Sequence, residues 1–361
     1  MRVAGVMSGT SLDGIDVAVV DVRGPRISTV AFRTTPYPAE VREAILAVSN
    51  TAAPTAAVAR LHFRLGWLYG RAVVETCRRA RVPLASVELV GCHGQTIYHE
   101  GGTATLQIGE AAAIAELTGK PVVSDFRPRD IAAGGKGAPL VPYVDYLLYR
   151  HPRRGRIALN IGGIANITAI PAGAAPEDVV AFDTGPGNMA IDALARAATG
   201  GRLNYDRGGR LAARGRVLKP LLDDLLADPY YRQKPPKTAG REQYGKEFVA
   251  RLRGRPEDLV ATATVLTAAT VAMGVRRLKG AYHDLIVSGG GAHNPRIMAH
   301  LTGFLPELAL ATSADFGIDI DAKEAICFAV LAYETWRGRA SNLPSATGAR
   351  HAAVLGKITP A

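Results

Sequence analysis

Apolar and polar positions along the chain repeat with two different periods. Helical spacing of apolar residues recurs in six stretches and predicts helices there. Between these stretches lie short runs rich in β-branched residues, which predict strands. A mixture of strands and helices is typical of an α/β architecture. The predicted helices cover residues 39–48, 55–81, 110–117, 189–198, 260–278 and 323–337.

Three of the β-rich runs lead into turns made of small residues. Residues 3–22 and 157–170 predict β-hairpins, and residues 284–300 predict a strand followed by a helix that begins at Pro295. The two hairpins start about 150 residues apart. Such a weak internal repeat indicates two related domains that face one another across a cleft.

The expected boundaries follow from this repeat. The first domain comprises residues 1–131 and 340–361, and the second comprises residues 132–339. Three Gly and three Pro in residues 125–142 indicate the passage from one domain to the other.

Length and composition agree with two ordinary globular domains. A chain of 361 residues suffices for two domains of roughly 150 residues each. Because no run of eighteen apolar residues occurs, the sequence predicts no membrane span. The apolar stretch at residues 1–6 is too short for a signal peptide, which favours a cytoplasmic protein. Cys77, Cys92 and Cys327 lie far apart and match no zinc or disulfide pattern, in keeping with a reducing compartment.

The net charge of +11 raises the alternative of a nucleic-acid-binding protein. The basic residues are spread along the whole chain, and their local clusters contain no interleaved aromatic residues. This distribution favours a solvated surface, so we expect no nucleic-acid partner.

The small-residue turns are candidate phosphate sites. Glycine allows backbone N–H groups to converge on an anion because no Cβ blocks the approach. The sequence contains neither G-x-x-x-x-G-K-[ST] nor a G-x-G-x-x-G that opens a helix, so a nucleotide site here is of another type. In the first turn, Thr10 and Ser11 add hydroxyls, and Asp13 and Asp16 add carboxylates that suit Mg²⁺ or its bound waters. The alternative for this segment is a plain hairpin with an Asp-Gly turn.

Asp183 is the candidate general base. The apolar residues 179–182 predict a strand that ends at Asp183, and a lone carboxylate above the following glycine turn is well placed for proton transfer. The alternative is a helix cap, but Asn188 lies closer to the predicted helix and fits that role better.

Two further clusters carry polar chemistry. Arg127 and Arg129 lie beside Asp125 and Asp130, which indicates either recognition of an acidic substrate or an internal ion-pair cluster. Residues 92–96 end an apolar run, so their polar groups are expected to face the same cleft, although a lone His is more often structural. A nucleophile–base pair of Cys92 with the adjacent His is disfavoured because neighbours on a strand point to opposite faces.

The chain resembles the anhydro-N-acetylmuramic acid kinases nearly from end to end. The order and number of matching motifs make this resemblance specific. Departures at Arg207, at residues 143–145 and at residues 238–239 remove none of the candidate catalytic groups. The matching stretches are 7–16, 93–96, 124–130, 137–142, 160–166, 182–188, 235–237, 240–242, 288–295 and 323–325.

The resemblance implies a two-domain actin-like ATPase fold, related to ribonuclease H, with a nucleotide cleft between the lobes. The implied reaction uses ATP and Mg²⁺ to open the 1,6-anhydro ring of the amino sugar and to phosphorylate O6, giving N-acetylmuramate 6-phosphate in peptidoglycan recycling. It also implies a homodimer. The alternative is another sugar or carboxylate kinase, or an ATPase switch, of the same superfamily.

The resemblance also implies roles for individual residues. Asp183 activates the attacking water, and Asp13 meets the metal directly or through water. The residues implied to contact the substrate are Gln95, Arg127, Arg129 and Glu324, and one of the two arginines is implied to pair with the lactyl carboxylate. The residues implied to contact the nucleotide are Gly9, Thr10, Ser11, Leu12, Asp13, Gly14, Ile15, Asp16, Asn160, Gly162, Gly163, Gly185, Gly289, Gly290 and Gly291.

Overall fold

The computed structural model describes residues 1–9, 12, 14–24 and 26–361, without the side chains of Arg241 and Lys246. Strands run, in chain order, over Arg2–Ser8 (β1), Gly14–Arg23 (β2), Arg26–Pro36 (β3), Leu89–Glu100 (β4), Ala104–Ile108 (β5), Val122–Ser124 (β6), Arg156–Ile161 (β7), Ile164–Ile170 (β8), Val180–Pro186 (β9), Asp284–Ser288 (β10), Ala309–Thr312 (β11) and Lys357–Thr359 (β12). Helices run over Ala39–Val48 (α1), Thr55–Arg79 (α2), Ala111–Thr118 (α3), Phe126–Ala132 (α4), Val141–Tyr149 (α5), Asn188–Ala198 (α6), Lys219–Leu226 (α7), Arg241–Tyr244 (α8), Lys246–Arg251 (α9), Pro256–Val275 (α10), Pro295–Phe304 (α11), Lys323–Trp336 (α12) and Pro344–Thr347 (α13).

The chain forms two compact units, and their boundaries differ from the expected ones. The first unit comprises Met1–Leu148 and Gly317–Ala361, and the second comprises Tyr149–Phe316. Residues 132–148 and 317–339, expected in the second domain, therefore belong with the N-terminal sheet. The reason is long-range packing, because α12 lies against β1, β2 and β4.

Each unit contains a mixed sheet, and five strands of the first sheet, which also includes β5 and β12, follow the same order as the five strands of the second. In the first, β1, β2 and β3 are antiparallel neighbours, and β4 and then β6 continue parallel on the other side of β1. In the second, β7, β8 and β9 are antiparallel neighbours, and β10 and then β11 continue parallel beside β7. This duplicated topology confirms both predicted hairpins and the expected α/β, actin-like fold class.

The core of the first unit depends on glycines in its central strands. A Cβ on Gly5 of β1 would overlap the backbone oxygen of Ala325, and one on Gly91 of β4 would overlap that of Phe328. Glycine thus lets α12 lie directly on the sheet. Helix α12 is buried along nearly its whole length.

The predicted helices agree well with the structure, apart from their ends. Helix α1 has the predicted bounds, whereas α10 starts four residues early because Pro256 occupies its first position. By length and composition α10 is, among the described residues, the one helix that could cross a membrane. Most of α10 is buried inside the second unit, as in a core helix.

The predicted inter-domain passage at residues 125–142 is wrong. This segment includes α4, and it is fixed within the first unit by the fully buried Asp130. The Asp130 carboxylate accepts hydrogen bonds from the amide of Gly137 (2.8 Å), from Asn342 Nδ2 (2.7 Å) and from Thr347 Oγ1 (2.8 Å). Asp130 is therefore a structural residue that ties this loop to the C-terminal segment.

Candidate active site

Two turns in the second unit are joined by backbone hydrogen bonds. The amide of Gly187 donates to the oxygen of Gly163 (2.9 Å), and the amide of Asn188 donates to the oxygen of Gly162 (2.8 Å). The expected capping role of Asn188 is wrong, because Asn188 begins α6 and its Nδ2 donates to the oxygen of Ile161 (3.1 Å). The turn after β7 and the turn after β9 thus form one continuous backbone surface.

The turn after β10 packs on the same surface. Ser288 Oγ donates to the oxygen of Leu159 (3.2 Å). Gly289 has a φ of +79°, and a Cβ there would lie 2.6 Å from Asn160 Oδ1. A Cβ on Gly291 would overlap the side chain of Ile161. The structure therefore brings Asn160, the small residues after it and the 288–291 turn together.

Two glycines on this surface are not required by the protein's own packing. A Cβ on Gly162 would meet no described atom nearer than 3.8 Å, and one on Gly290 none nearer than 3.5 Å. Neither residue has a positive φ. A Cβ at either position would make only ordinary van der Waals contacts, so packing does not require glycine there, and a bare main chain suits a ligand that approaches it closely, such as a nucleotide. Gly185, by contrast, lies inside β9, where a Cβ would come 3.0 Å from Thr270 Oγ1.

The first small-residue turn belongs to the first unit. Thr10, Ser11 and Asp13 lie outside the described residues. Gly9 accepts a hydrogen bond from the amide of Leu12 through its carbonyl oxygen (3.3 Å).

The described residues of this turn have structural roles. The side chains of Leu12 and Ile15 are buried in the core, which leaves only their main chain for contacts with a ligand. A Cβ on Gly14 would lie 2.6 Å from the oxygen of Thr35, so the sheet itself requires glycine there. Asp16 accepts a hydrogen bond from Thr34 Oγ1 (2.6 Å).

Asp183 lies inside a strand and not at its end as expected. Strand β9 continues to Pro186, and Asp183 pairs with Asn166 of β8. The register shifts between Ala165 and Asn166, directly beside this pair. Such a bulge re-aims side chains, and it depends on the partner strand, which local sequence does not reveal.

The partly buried carboxylate of Asp183 is held by residues 230–239. The amide of Ala239 donates to Asp183 Oδ2 (2.8 Å), and the amide of Asp183 donates to the oxygen of Lys237 (3.1 Å). Tyr230 Oη donates to the backbone oxygen of Asp183 (2.8 Å). Burial raises the pKa of Asp183 to about 6, while the Ala239 amide and the charge of Lys237 act in the opposite direction. A carboxylate of this kind can accept a proton near neutral pH.

Lys237 is a neighbour of Asp183 to which sequence reasoning assigned no role. Its side chain is buried, with 6% exposure, and Nζ donates to the oxygen of Tyr230 (2.9 Å). Nζ also lies 4.3 Å from the ring centroid of Tyr230 and 5.7 Å from that of Phe182. The signal that could have found it is the 235–237 stretch shared with the family.

Arg127, in the first unit, is held by His93. Nε and Nη2 of Arg127 lie 3.1 and 2.9 Å from His93 Nε2, and Nη1 donates to the oxygen of Gly137 (2.8 Å). His93 Nδ1 lies 2.8 Å from the oxygen of Gly94, so Nδ1 carries the proton and Nε2 is the acceptor. Burial lowers the pKa of Arg127 to about 10, against the charges of Glu324 and Asp130.

Glu324 shares its surroundings with Arg127. Burial raises the pKa of Glu324, and Asp16 adds to this effect, whereas Lys323 and Arg127 oppose it. Arg127, Glu324 and Asp16 therefore form one electrostatic group. Arg129 is exposed on α4.

Gln95 is buried in a chain of polar side chains. Ser8 Oγ donates to Gln95 Oε1 (2.5 Å) and accepts from Tyr37 Oη (2.8 Å), which in turn lies 3.1 Å from Tyr69 Oη. Gln95 Nε2 donates to the oxygen of Thr96 (3.2 Å). The amide of Gln95 is thus engaged inside the first unit, and sequence reasoning found neither tyrosine.

Cys92 and His93 point to opposite sides of β4. Cys92 lies in the core with β2 and α2, where burial raises the pKa of its thiol to about 12. The His93 ring lies 4.5 Å from the ring of Phe328 on α12. The structure excludes a nucleophile–base pair here. Within the described part of the chain, no group of three or more His, Cys, Asp or Glu side chains is placed to hold a metal ion.

The comparison with solved structures gives remote likenesses. Component A of the (R)-2-hydroxyglutaryl-CoA dehydratase of Acidaminococcus fermentans matches with a TM-score of 0.46 and 11% identity, over 92% of this chain and 98% of that one. So remote a likeness carries no information about function.

Sequence relatives are much closer. A protein of Caldanaerobacter subterraneus subsp. tengcongensis named anhydro-N-acetylmuramic acid kinase is 43% identical over a gapped alignment of 381 positions that covers 99% of this chain and 96% of the relative. A Bacillus cereus protein of the same name is 43% identical over a gapped alignment of 380 positions that covers 99% of both chains. The family model for anhydro-N-acetylmuramic acid kinase matches residues 1–361. The chain therefore belongs to the anhydro-N-acetylmuramic acid kinase family.

Proposed function

We propose that this chain is an ATP-dependent kinase that opens the 1,6-anhydro ring of anhydro-N-acetylmuramic acid with water and phosphorylates O6. The product is N-acetylmuramate 6-phosphate, an intermediate expected in peptidoglycan recycling. The observation that carries the proposal is the carboxylate of Asp183, which has one oxygen fixed by the amide of Ala239 and a pKa of about 6.

Asp183 acts as the general base in this proposal. It takes a proton from water while the water oxygen forms a bond to the anomeric carbon, C1, and the bond from C1 to O6 breaks. The electron pair released on O6 forms the new bond to the γ-phosphorus of ATP, and the bond from that phosphorus to the β-phosphate oxygen breaks to release ADP. Because phosphate replaces carbon on O6, that oxygen never needs a proton. The proton from water ends on Asp183.

The backbone surface of the second unit is the proposed nucleotide contact. The space beside Gly162 and Gly290 supports it, because packing does not require glycine at either position and a phosphate or ribose oxygen could approach main-chain amides that no Cβ shields. Asn160 and Gly163 border the same space, and we assign them to phosphate contact with Gly289 and Gly291 beside the adenosine. The first turn, from Gly9 to Asp16, is the further proposed phosphate contact.

Mg²⁺, when bound, spreads the negative charge of the transferring phosphoryl group. Because Mg²⁺ commonly keeps several waters and binds substrate phosphates with only one or two carboxylates, we propose that the ion would be held mainly by ATP oxygens and water. Asp13 is the proposed protein contact, direct or through water.

Arg127 is the proposed partner of the lactyl carboxylate. Its bonds to His93 and Gly137 use three of its five N–H groups, which leaves two for a substrate oxygen. A guanidinium already fixed in place loses less entropy on binding than the exposed Arg129. Glu324 and Gln95 remain proposed substrate contacts.

The test is the transfer of label from γ-³²P-ATP to purified 1,6-anhydro-N-acetylmuramic acid. The proposal expects label in N-acetylmuramate 6-phosphate. An ATPase switch would give only labelled inorganic phosphate, and a kinase for another sugar would leave the anhydro-sugar unlabelled. Either result would refute the proposed substrate.

We further propose a cytoplasmic homodimer. The three cysteines are free and buried, which suits a reducing compartment. Sedimentation equilibrium tests the dimer, and a mass of one chain of 38.0 kDa at working concentration would contradict it.

A further inference from the structure

We propose that Lys237 is a positioning residue for Asp183, which keeps the carboxylate of Asp183 in place and ionised. This inference rests on the proposed role of Asp183 as the base. It adds a residue whose side chain is buried and directed at neighbouring protein groups, so it is not a substrate contact.

Two residues of one short segment bind Asp183, residue 237 at its backbone and residue 239 at its side chain. The oxygen of Lys237 accepts from the Asp183 amide (3.1 Å), and two residues later the Ala239 amide donates to Asp183 Oδ2 (2.8 Å). A displacement of this short segment would move the amide that orients the carboxylate. The segment therefore needs an anchor of its own.

The Lys237 side chain supplies that anchor. Nζ donates to the oxygen of Tyr230 (2.9 Å) and lies over the Tyr230 ring at 4.3 Å, while Tyr230 Oη donates to the backbone oxygen of Asp183 (2.8 Å). Lys237, Tyr230 and Asp183 thus each contact the other two. A cation over a desolvated aromatic face is held more strongly than one in water.

Charge gives Lys237 its second effect. Its positive charge opposes the burial that raises the pKa of Asp183. Burial lowers the pKa of Lys237 to about 8, with Arg277 lowering it further and Asp183 raising it. Because this pKa lies above 7, Lys237 is largely protonated at neutral pH. The other titratable or charged groups that act on the Lys237–Asp183 pair are Arg277, Tyr230 and Tyr244.

The alternative is a lysine that merely fills space in the core. Both ideas predict some loss of stability when Lys237 is replaced. Only the positioning role predicts a change in the titration of Asp183, because removing a nearby positive charge favours the protonated carboxyl.

The experiment is a carbon-13 NMR titration of the Asp183 carboxyl in protein labelled at aspartate, with the signal assigned by its loss in D183N. In K237M we expect the pKa of Asp183 to rise by about half a unit or more. In K237R, which keeps the charge, we expect a change of less than about 0.2 unit. K234M, which removes an exposed lysine three residues earlier, is the matched control and should leave the titration unchanged.

An unchanged Asp183 titration in folded K237M would overturn the inference. If K237M does not fold, K237Q serves instead, since its amide can still donate to the oxygen of Tyr230 while the charge is gone. The titration needs no substrate, so it remains decisive even if the wild-type chain fails to phosphorylate the anhydro-sugar. In that event the proposed function would fail separately.

Discussion

His93 Nε2 accepts two N–H groups of Arg127, at 3.1 Å from Nε and 2.9 Å from Nη2. Burial and the charge of Arg127 hold the pKa of His93 well below its ordinary value, so the imidazole stays neutral and can accept. The Gly94 oxygen fixes its tautomer from the other side. A buried histidine on β4 thus orients the guanidinium proposed to meet the substrate.

Removing this acceptor should weaken sugar binding. In H93A we expect the KM for the anhydro-sugar to rise about tenfold or more, because Arg127 loses its fixed orientation, whereas the KM for ATP should stay near the wild-type value. Steady-state kinetics with each substrate varied in turn measure both. H93Q should recover part of the loss because Gln Oε1 can accept. R129A is the control. A larger rise in the KM for the anhydro-sugar in R129A than in H93A would indicate that Arg129, and not Arg127, binds the lactyl carboxylate.

The glycines of the 288–291 turn should separate ligand binding from folding. A Cβ on Gly290 has room within the protein, so G290A should keep its Tm within about 2 °C while weakening ATP binding about tenfold or more. A Cβ on Gly291 would overlap Ile161, so G291A should lose about 1–3 kcal/mol of unfolding free energy. Calorimetric titration with ATP and thermal unfolding test the pair. Normal ATP affinity in G290A would argue against nucleotide contact at this turn.

The rate should depend on pH through the ionisation of Asp183. The base works only as the carboxylate, and burial raises its pKa to about 6. We therefore expect kcat to rise with pH through about 6 and to fall about tenfold per unit on the acid side. The ATP dissociation constant, measured over the same range, controls for binding. A kcat that stays constant well below pH 6 in folded enzyme would mean that another group is the base.

Ionisation of the Asp183 carboxyl group should lower the free energy of unfolding. Its pKa in the folded chain, about 6, exceeds its ordinary value of 3.8, so stability from this group is complete at low pH and is lost as pH rises through that interval. D183N avoids this cost, which is at most about 3 kcal/mol. We expect D183N to melt at least about 2 °C above the wild type near neutral pH and to lose that advantage near pH 4. An equal or lower Tm at neutral pH would contradict this.

Local sequence was sufficient for most of the elements. Strand β1 pairs antiparallel with β2, and β7 with β8, as the two predicted hairpins require, because alternating apolar residues and small turn residues are themselves local signals. The start of α11 at Pro295 follows from the restricted φ of proline.

The remaining features depend on contacts between distant residues. Asp183 sits inside β9 because of a register shift in β8, and α12 joins the first unit because Gly5 and Gly91 admit it to the sheet. Lys237 comes from a segment more than fifty residues after Asp183, so its role shows only in the fold. Spacing along the chain could indicate Arg127 but could not show that His93 orients it.

In the proposed reaction, Asp183 is the base for the attack of water on the anhydro-sugar. The most direct test compares the wild type with D183N, using kcat for the anhydro-sugar and separate dissociation constants for ATP and the sugar. We expect kcat to fall about 10³-fold or more in D183N while both dissociation constants stay within about threefold. A D183N enzyme that turns over within about tenfold of the wild type would contradict it.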